Sequence, residues 1–244
     1  MYNNQAVKGG SDIRPVLFCG KISPSHKEAL EKMGCLVLTL PPFSRLDARV
    51  ATHPDMLLFP LEEGFLLHRA YYEENADFFD ALPVLLTKSD ESMARDYPHD
   101  VLFNALPLGD TVYGGKYISR YIKERFPCHV PVRQGYTRCS SALVGKGVIT
   151  QDKTVFQALT ENGVDALLIS EGSIRLEGYD TGFIGGASLT LSPSLTAFFG
   201  KVEDHPDHQA MKAFAQRQNA RLVSLSNEPL SDCGGGFILP TLHK

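Results

Sequence analysis

At 244 residues the chain is long enough to bury a sizeable core, and 43% hydrophobic with 21% charged residues is the balance of an ordinary globular protein. A net charge of −4 with no basic run argues against nucleic acid or an anionic membrane as the main partner, and no apolar run approaches the roughly 18–20 residues of a bilayer span. The five cysteines (Cys19, Cys35, Cys128, Cys139 and Cys233) are odd in number, widely spaced and free of any C-x-x-C pair, which argues against a disulfide scaffold or zinc ribbon and fits a reducing cytoplasm.

Met1 to Asp12 is polar and glycine-containing, without the apolar stretch of a signal peptide, so residues 1–13 are read as a flexible arm. Val16-Leu17-Phe18 is a short strand. Ser25 and Glu28 have capping-box spacing, Ala29, Leu30 and Met33 form one apolar helical face, and Gly34 suits the position just past a helix end. Leu36 to Leu40 is a strand that Pro41-Pro42 stops. The next stretch repeats the theme with a strand at Met56 to Leu61, a hairpin partner at Phe65-Leu66-Leu67, a helix from Arg69 to Ala81 and a strand at Val84-Leu85-Leu86. A third set follows: strands at Val101 to Leu106 and Val112-Tyr113, a helix from Tyr117 to Phe126, and a strand at His129 to Val132.

The fourth set has the clearest pattern. Cys139 to Val144 and Val148 to Thr150 flank the hairpin turn Gly145-Lys146-Gly147, Asp152 caps a helix with Val155, Phe156 and Leu159 on one face, Gly163 ends it, and Ala166 to Ile169 is the third strand. In the fifth set, Gly186 to Leu191 and Thr196 to Phe199 form a hairpin, a helix runs from Pro206 to Gln218, and Leu222 to Leu225 closes the unit. Gly236 to Leu239 is one more strand with no helix after it, while the first set lacks a leading strand.

If the tail supplies that strand, the N- and C-termini meet in the first unit. The chain then closes as an α/β propeller of five pseudo-fivefold strand-strand-helix-strand repeats with a period of about 45 residues. Its units are residues 14–50 with 231–244, 51–95, 96–134, 135–178 and 179–230. Closure removes free sheet edges. A doubly wound open α/β sheet is the competing architecture, and the hairpins at Gly145-Lys146-Gly147 and Ser192-Pro193-Ser194 count against it.

Chemistry-bearing residues gather at the strand starts: His53-Pro54-Asp55, His99-Asp100 with Asn104, Arg138-Cys139, Gly185-Gly186 with Ser188, and Asp232-Cys233 ahead of Gly234-Gly235-Gly236. Cys139, beside Arg138 and two hydroxyls, is a candidate nucleophile; a small buried hydrophobe is the plainer reading, and for Cys233 plainer still. By strand alternation His53 and Asp55 face one cavity, though a polar strand-entry turn explains them as well. Asp232 either enters that cavity or caps its own turn, Asp100 and Asn104 have the same two readings, and the glycines permit close backbone approach. His205-Pro206-Asp207-His208 has metal-ligand types, but its place at a helix start favours capping by Asp204 or Asp207, so no metal and no cofactor is expected.

The five strand starts, above all Gly182-Phe183-Ile184-Gly185-Gly186-Ala187-Ser188 and Asp232-Cys233-Gly234-Gly235-Gly236, resemble those of the pentein superfamily of guanidine-modifying enzymes. The likeness extends over nearly all of the chain from Arg14 and is greatest to a bacterial branch of uncharacterised function. The resemblance implies a small-molecule ligand in a central cavity and cysteine-dependent hydrolysis or transfer at a C–N bond of a guanidino, amidino or amide metabolite. In those terms Cys139 attacks, His53 shuttles protons, Asp55 and Asp232 hold the cation, and Asp100, Asn104, Arg138, Gly186, Ser188 and Cys233 line the site. The relatives keep their cysteine after a C-terminal glycine turn, whereas Cys233 precedes it here. That departure supports the alternative of a binding protein that has lost the active site. Oligomeric state is not legible.

Overall fold

A computed structural model describes residues 15–240; the expected arm at 1–13 lies outside the described residues. The first unit runs β1 (Val16–Cys19), α1 (Pro24–Lys32) and β2 (Leu36–Thr39). The second runs α2 (Pro54–Leu57), β3 (Leu58–Pro60), β4 (Gly64–His68), α3 (Arg69–Glu74), α4 (Ala76–Asp80) and β5 (Leu85–Ser89). The third runs β6 (Leu106–Leu108), β7 (Thr111–Gly114), α5 (Arg120–Arg125) and β8 (Cys128–Pro131), and the fourth β9 (Ser141–Val144), β10 (Gly147–Thr150), α6 (Lys153–Glu161) and β11 (Ala166–Leu168). The fifth has β12 (Ser188–Ser192), β13 (Leu195–Phe198), a 3₁₀ turn at Val202–Asp204, α7 (His208–Arg217) and β14 (Arg221–Ser224), and β15 (Gly236–Ile238) ends the described chain.

These strands form five three-stranded sheets of identical plan. In each, a leading strand pairs antiparallel with the middle strand, which pairs parallel with the last. The parallel step needs a crossover, and the helices supply it. The tail does provide the missing leading strand: β15 lies antiparallel to β1, with Leu17 opposite Ile238 and Cys19 opposite Gly236. The leading strand β12 packs on two others, β9 and β15. Apolar clusters fill the space between sheets and helices, the largest around Phe18, Phe59, Phe65, Tyr71 and Phe103.

The strongest local signals in the sequence match the structure. Asp152 caps α6 by accepting from the Thr154 and Val155 amides, and Gly145 turns the β9–β10 hairpin at φ 62°. The α1 cap is Ser23, which accepts from the His26 amide, and Ser25 sits inside the helix with Pro24 at its first turn. The expected helix from Arg69 to Ala81 is two short helices broken at Asn75, whose side chain donates back to the Tyr71 carbonyl. Asp207 precedes α7, but its carboxylate accepts from the Ser170 amide at 2.6 Å and caps nothing.

The main correction concerns the strand starts. Met56, Cys139 and Gly186 are not in strands. Each occupies a single helical turn just before one, closed by hydrogen bonds from the Leu57 amide to the His53 carbonyl, Ser140 to Tyr136, and Ala187 to Phe183. Val101 to Ala105 is likewise irregular, and β6 starts only at Leu106. His53 and Asp55 are therefore set by a helical turn rather than by strand alternation.

Candidate active site

These pre-strand turns meet. The Asp55 amide donates to the Gly234 carbonyl at 3.2 Å, tying the second unit to the tail. Asn104 Nδ2 donates to the Asp55 carbonyl at 3.1 Å, and Asn104 Oδ1 accepts from the Arg138 amide at 2.8 Å and the Cys139 amide at 3.1 Å. The Gly186 amide donates to the Cys139 carbonyl at 3.0 Å, and the Gly186 carbonyl accepts from the Cys233 and Gly235 amides at 3.0 and 2.7 Å. The hydrogen bonds thus run from tail to second, third, fourth and fifth units and back to the tail. Glycines make this approach possible: a Cβ on Gly185 would collide with the carbonyls of Arg138, Cys139 and Ser141.

Inside that circuit stand four of the predicted residues. Cys139 is 4% exposed, and its Sγ accepts from Asn104 Nδ2 at 2.9 Å. Burial pushes the thiol well above its ordinary range, the Asp55 and Asp232 charges push it further, and the Asn104 hydrogen bond opposes them. Asp55 is 1% exposed, and neither carboxylate oxygen has a hydrogen-bond partner among the described residues. Burial lifts the Asp232 carboxyl to about 6, against the pull of His53. Asp232 accepts from the Phe183 amide through Oδ2 and from the Gly234 amide through Oδ1, both at 2.9 Å, and His53 Nδ1 lies 3.8 Å from Oδ1. It therefore caps its own turn and also faces the centre.

Arg138 is buried as well. Its Nη1 donates to the Ser141 carbonyl at 2.8 Å and its guanidinium carbon lies 5.7 Å from the Phe237 ring centroid. Burial lowers its pKa while Asp55 and Cys139 oppose that fall. Gly186 packs directly on the Asp232 carboxylate.

The other predicted residues lie to the side. Asp100 accepts from the Tyr136 hydroxyl at 2.7 Å, and burial pushes its carboxyl up. Ser188 donates to the Gly185 carbonyl, a wall contact. Cys233, whose thiol burial pushes up to about 12, borders an open cleft of about 560 Å³ that Lys21, Arg175, Glu228 and Asp232 also line. Sequence reasoning missed that cleft and Tyr136. Lys21 and Arg175 belong to separate loops with no shared pattern, but Tyr136, one residue into the Gly135 turn, was open to notice. No group of three or more His, Cys, Asp or Glu side chains able to hold a metal occurs among the described residues.

The arrangement brings a thiol, an imidazole, two carboxylates and a guanidinium together, all of them buried. Two carboxylates at a buried point attract a planar cation, which meets them with paired N–H donors.

Three solved structures share the fold. DDAH from Pseudomonas aeruginosa, in complex with citrulline, is 9% identical over 87% of this chain and 92% of that chain, with a TM-score of 0.51. ArgZ, a cyanobacterial arginine dihydrolase, is 10% identical over 94% of this chain and 40% of that longer chain, with a TM-score of 0.55. A C. jejuni agmatine deiminase is 9% identical over 93% of this chain and 82% of that chain, with a TM-score of 0.54. The likeness is one of fold, an α/β fold resembling the pentein structures. No curated protein matches the chain. A family model described as a family of unknown function (DUF6873) matches residues 18–237.

Proposed function

The chain belongs to the family of unknown function DUF6873, and we propose that it is a closed five-unit pentein propeller that binds a small guanidino, amidino or amide metabolite at its axis and cleaves a C–N bond through Cys139. Closure is supported by the circuit of hydrogen bonds and by β15 completing the first sheet. No helix among the described residues is long and apolar enough to cross a membrane. The free cysteines fit a reducing cytoplasm.

The observation that carries the reading is Asp55, buried against the Cys139 thiol with neither oxygen receiving an N–H or O–H donor among the described residues. A buried carboxylate is costly without a hydrogen-bonding counterpart, and the nearby Arg138 guanidinium donates to the Ser141 carbonyl instead. A guanidinium or amidinium held between Asp55 and Asp232 supplies one. It also offsets the two charges that add to burial in keeping the Cys139 thiol protonated, and so favours the thiolate.

In the reaction, the thiol proton passes to His53 and Sγ adds to the central carbon of the cation. The C–N bond to the leaving amine then breaks, and the amine departs with the proton from His53. Water adds to the S-linked amidinium, the C–S bond breaks, and the thiol is regenerated as the product gains oxygen from water. Transfer to an amine acceptor follows the same course.

The test compares two electrophiles on the native protein, read cysteine by cysteine by mass spectrometry. Cationic chloroacetamidine is expected to label Cys139 at least tenfold faster than neutral iodoacetamide, relative to their rates at exposed Cys128, and Asp55→Asn is expected to abolish the preference. Equal rates, or no labelling of Cys139 by either, overturn the nucleophile.

That negative result favours a second reading, a binding protein without turnover. Its motivating observation is the tail, where Gly234-Gly235-Gly236 is followed by Phe237, Ile238 and Leu239, with no cysteine at the place the relatives use.

A further inference from the structure

We propose that Asn104 is a positioning residue that holds Cys139 against Asp55 and stabilises its thiolate through Nδ2. The proposal deepens the nucleophile reading of Cys139 and rests on it.

Asn104 is fully buried. Every other joint in the circuit of turns includes a backbone-to-backbone hydrogen bond, but the joints from second to third unit and from third to fourth both pass through this one side chain. The two ends of the amide do different work. Oδ1 accepts from two successive amides, Arg138 and Cys139, and thereby fixes the turn that carries the cysteine. Nδ2 faces the Asp55 carbonyl at 3.1 Å, the Met56 sulfur at 3.4 Å and the Cys139 sulfur at 2.9 Å. An amide has two N–H donors, so three acceptors compete for them, and the most negative draws most. When Cys139 ionises, its sulfur becomes that acceptor, and the hydrogen bond strengthens at the moment the nucleophile forms.

The surroundings sharpen the point. The titratable and charged groups facing Cys139 are Asp55, Asp232 and Tyr136, which oppose the thiolate when ionised, and Arg138, whose positive charge favours it. Arg138 bears the nearest positive charge on its own turn, and its guanidinium is turned to the Ser141 carbonyl and the Phe237 ring. Asn104 is therefore the side chain that donates a hydrogen bond to the sulfur. No side chain without both an acceptor and a donor does what Asn104 does.

The split between acceptor and donor suggests the experiment. Asn104→Asp keeps an oxygen for the Arg138 and Cys139 amides and loses the N–H donors; Asn104→Leu loses both. The readout is the pH midpoint of Cys139 ionisation, from thiolate absorbance in a background where the other four cysteines are serine. A hydrogen bond to a charged group of ordinary strength predicts a midpoint raised by about one to two pH units in both variants, and a labelling rate at fixed pH about 10- to 100-fold lower. A role confined to packing predicts a folded Asn104→Leu protein with the wild-type midpoint, and that result overturns the proposal; Asn104→Asp adds a charge that raises the midpoint by itself, so it reports only whether an oxygen at 104 is enough to hold the turn.

A second measurement needs no variant at 104. The Asn104 side-chain amide proton resonance is expected to shift in Cys139→Ala and to titrate with the Cys139 midpoint in the wild-type chain; an unmoved resonance overturns the proposal even if the variants do not fold. The two readings fail separately. A resonance that moves while Cys139 shows no preference for the cationic electrophile leaves Asn104 as the holder of an inert thiol, and removes the catalytic reading alone.

Discussion

The Asp232 carboxylate lies in the space that a side chain on residue 186 would take, and Gly186 leaves it there: a Cβ at that position would overlap Asp232 Oδ1. Gly186 also joins the fourth and fifth units to the tail through its own amide and carbonyl. Gly186→Ala is therefore expected to displace Asp232 from His53 and to cost about 1–3 kcal/mol of stability, the usual range for forcing a methyl group into a packed site. Urea denaturation checks it. An unchanged midpoint would mean that the turns around the axis yield more easily than their packing implies.

Asp232 also sets a pH dependence. Burial lifts its carboxyl to about 6, above the ordinary carboxylate range. The folded chain then holds a proton that the unfolded chain has released across roughly pH 4 to 6, so this group's contribution to stability falls as pH rises through that window. Asp232→Asn removes the proton uptake. The expected outcome is a stability profile between pH 4 and 6 that declines less steeply in the variant than in the wild type; parallel profiles would refute the assignment.

Arg138 is the cation already present at the centre. Arg138→Met removes a charged hydrogen bond to the Ser141 carbonyl and leaves Asp55 without the nearby guanidinium. A loss of about 2–3 kcal/mol is expected, with Arg138→Lys recovering part of it because an ammonium keeps the charge but not the fork. Chemical denaturation of the two variants decides it, and a methionine variant as stable as the wild type counts against any ionic role for Arg138.

The five-unit plan was legible because its signals are local and repeated. Gly145-Lys146-Gly147 marks a hairpin, Asp152 a helix start, and the unpaired strand at Gly236 answers the missing strand before Val16. The site was legible in its membership and less so in its geometry. Asp55 and Cys139 stand out as chemical types at strand starts, but the helical turns that aim them are too short for a periodic signal. The same limit explains Asn75, where one side-chain hydrogen bond divides a helix that apolar spacing alone runs together. Asn104 is the hardest case: as an isolated residue it reads as turn chemistry, and its bonds to Asp55, Arg138 and Cys139 exist only once three distant turns are brought together.

The pairing of β15 with β1 has a consequence for biosynthesis. A strand translated before the four other units waits for one translated after them, since Leu17 meets Ile238. Until then β1 offers a bare edge to any passing strand, a hazard for neighbouring chains on the same message. The middle units can form as they emerge from the ribosome, because their partners are close in sequence. The first unit cannot, and neither can the joint between Asp55 and Gly234. Assembly of the centre is thereby deferred until Gly236 has emerged, and a ribosome that stalls short of it releases four sheets and no site.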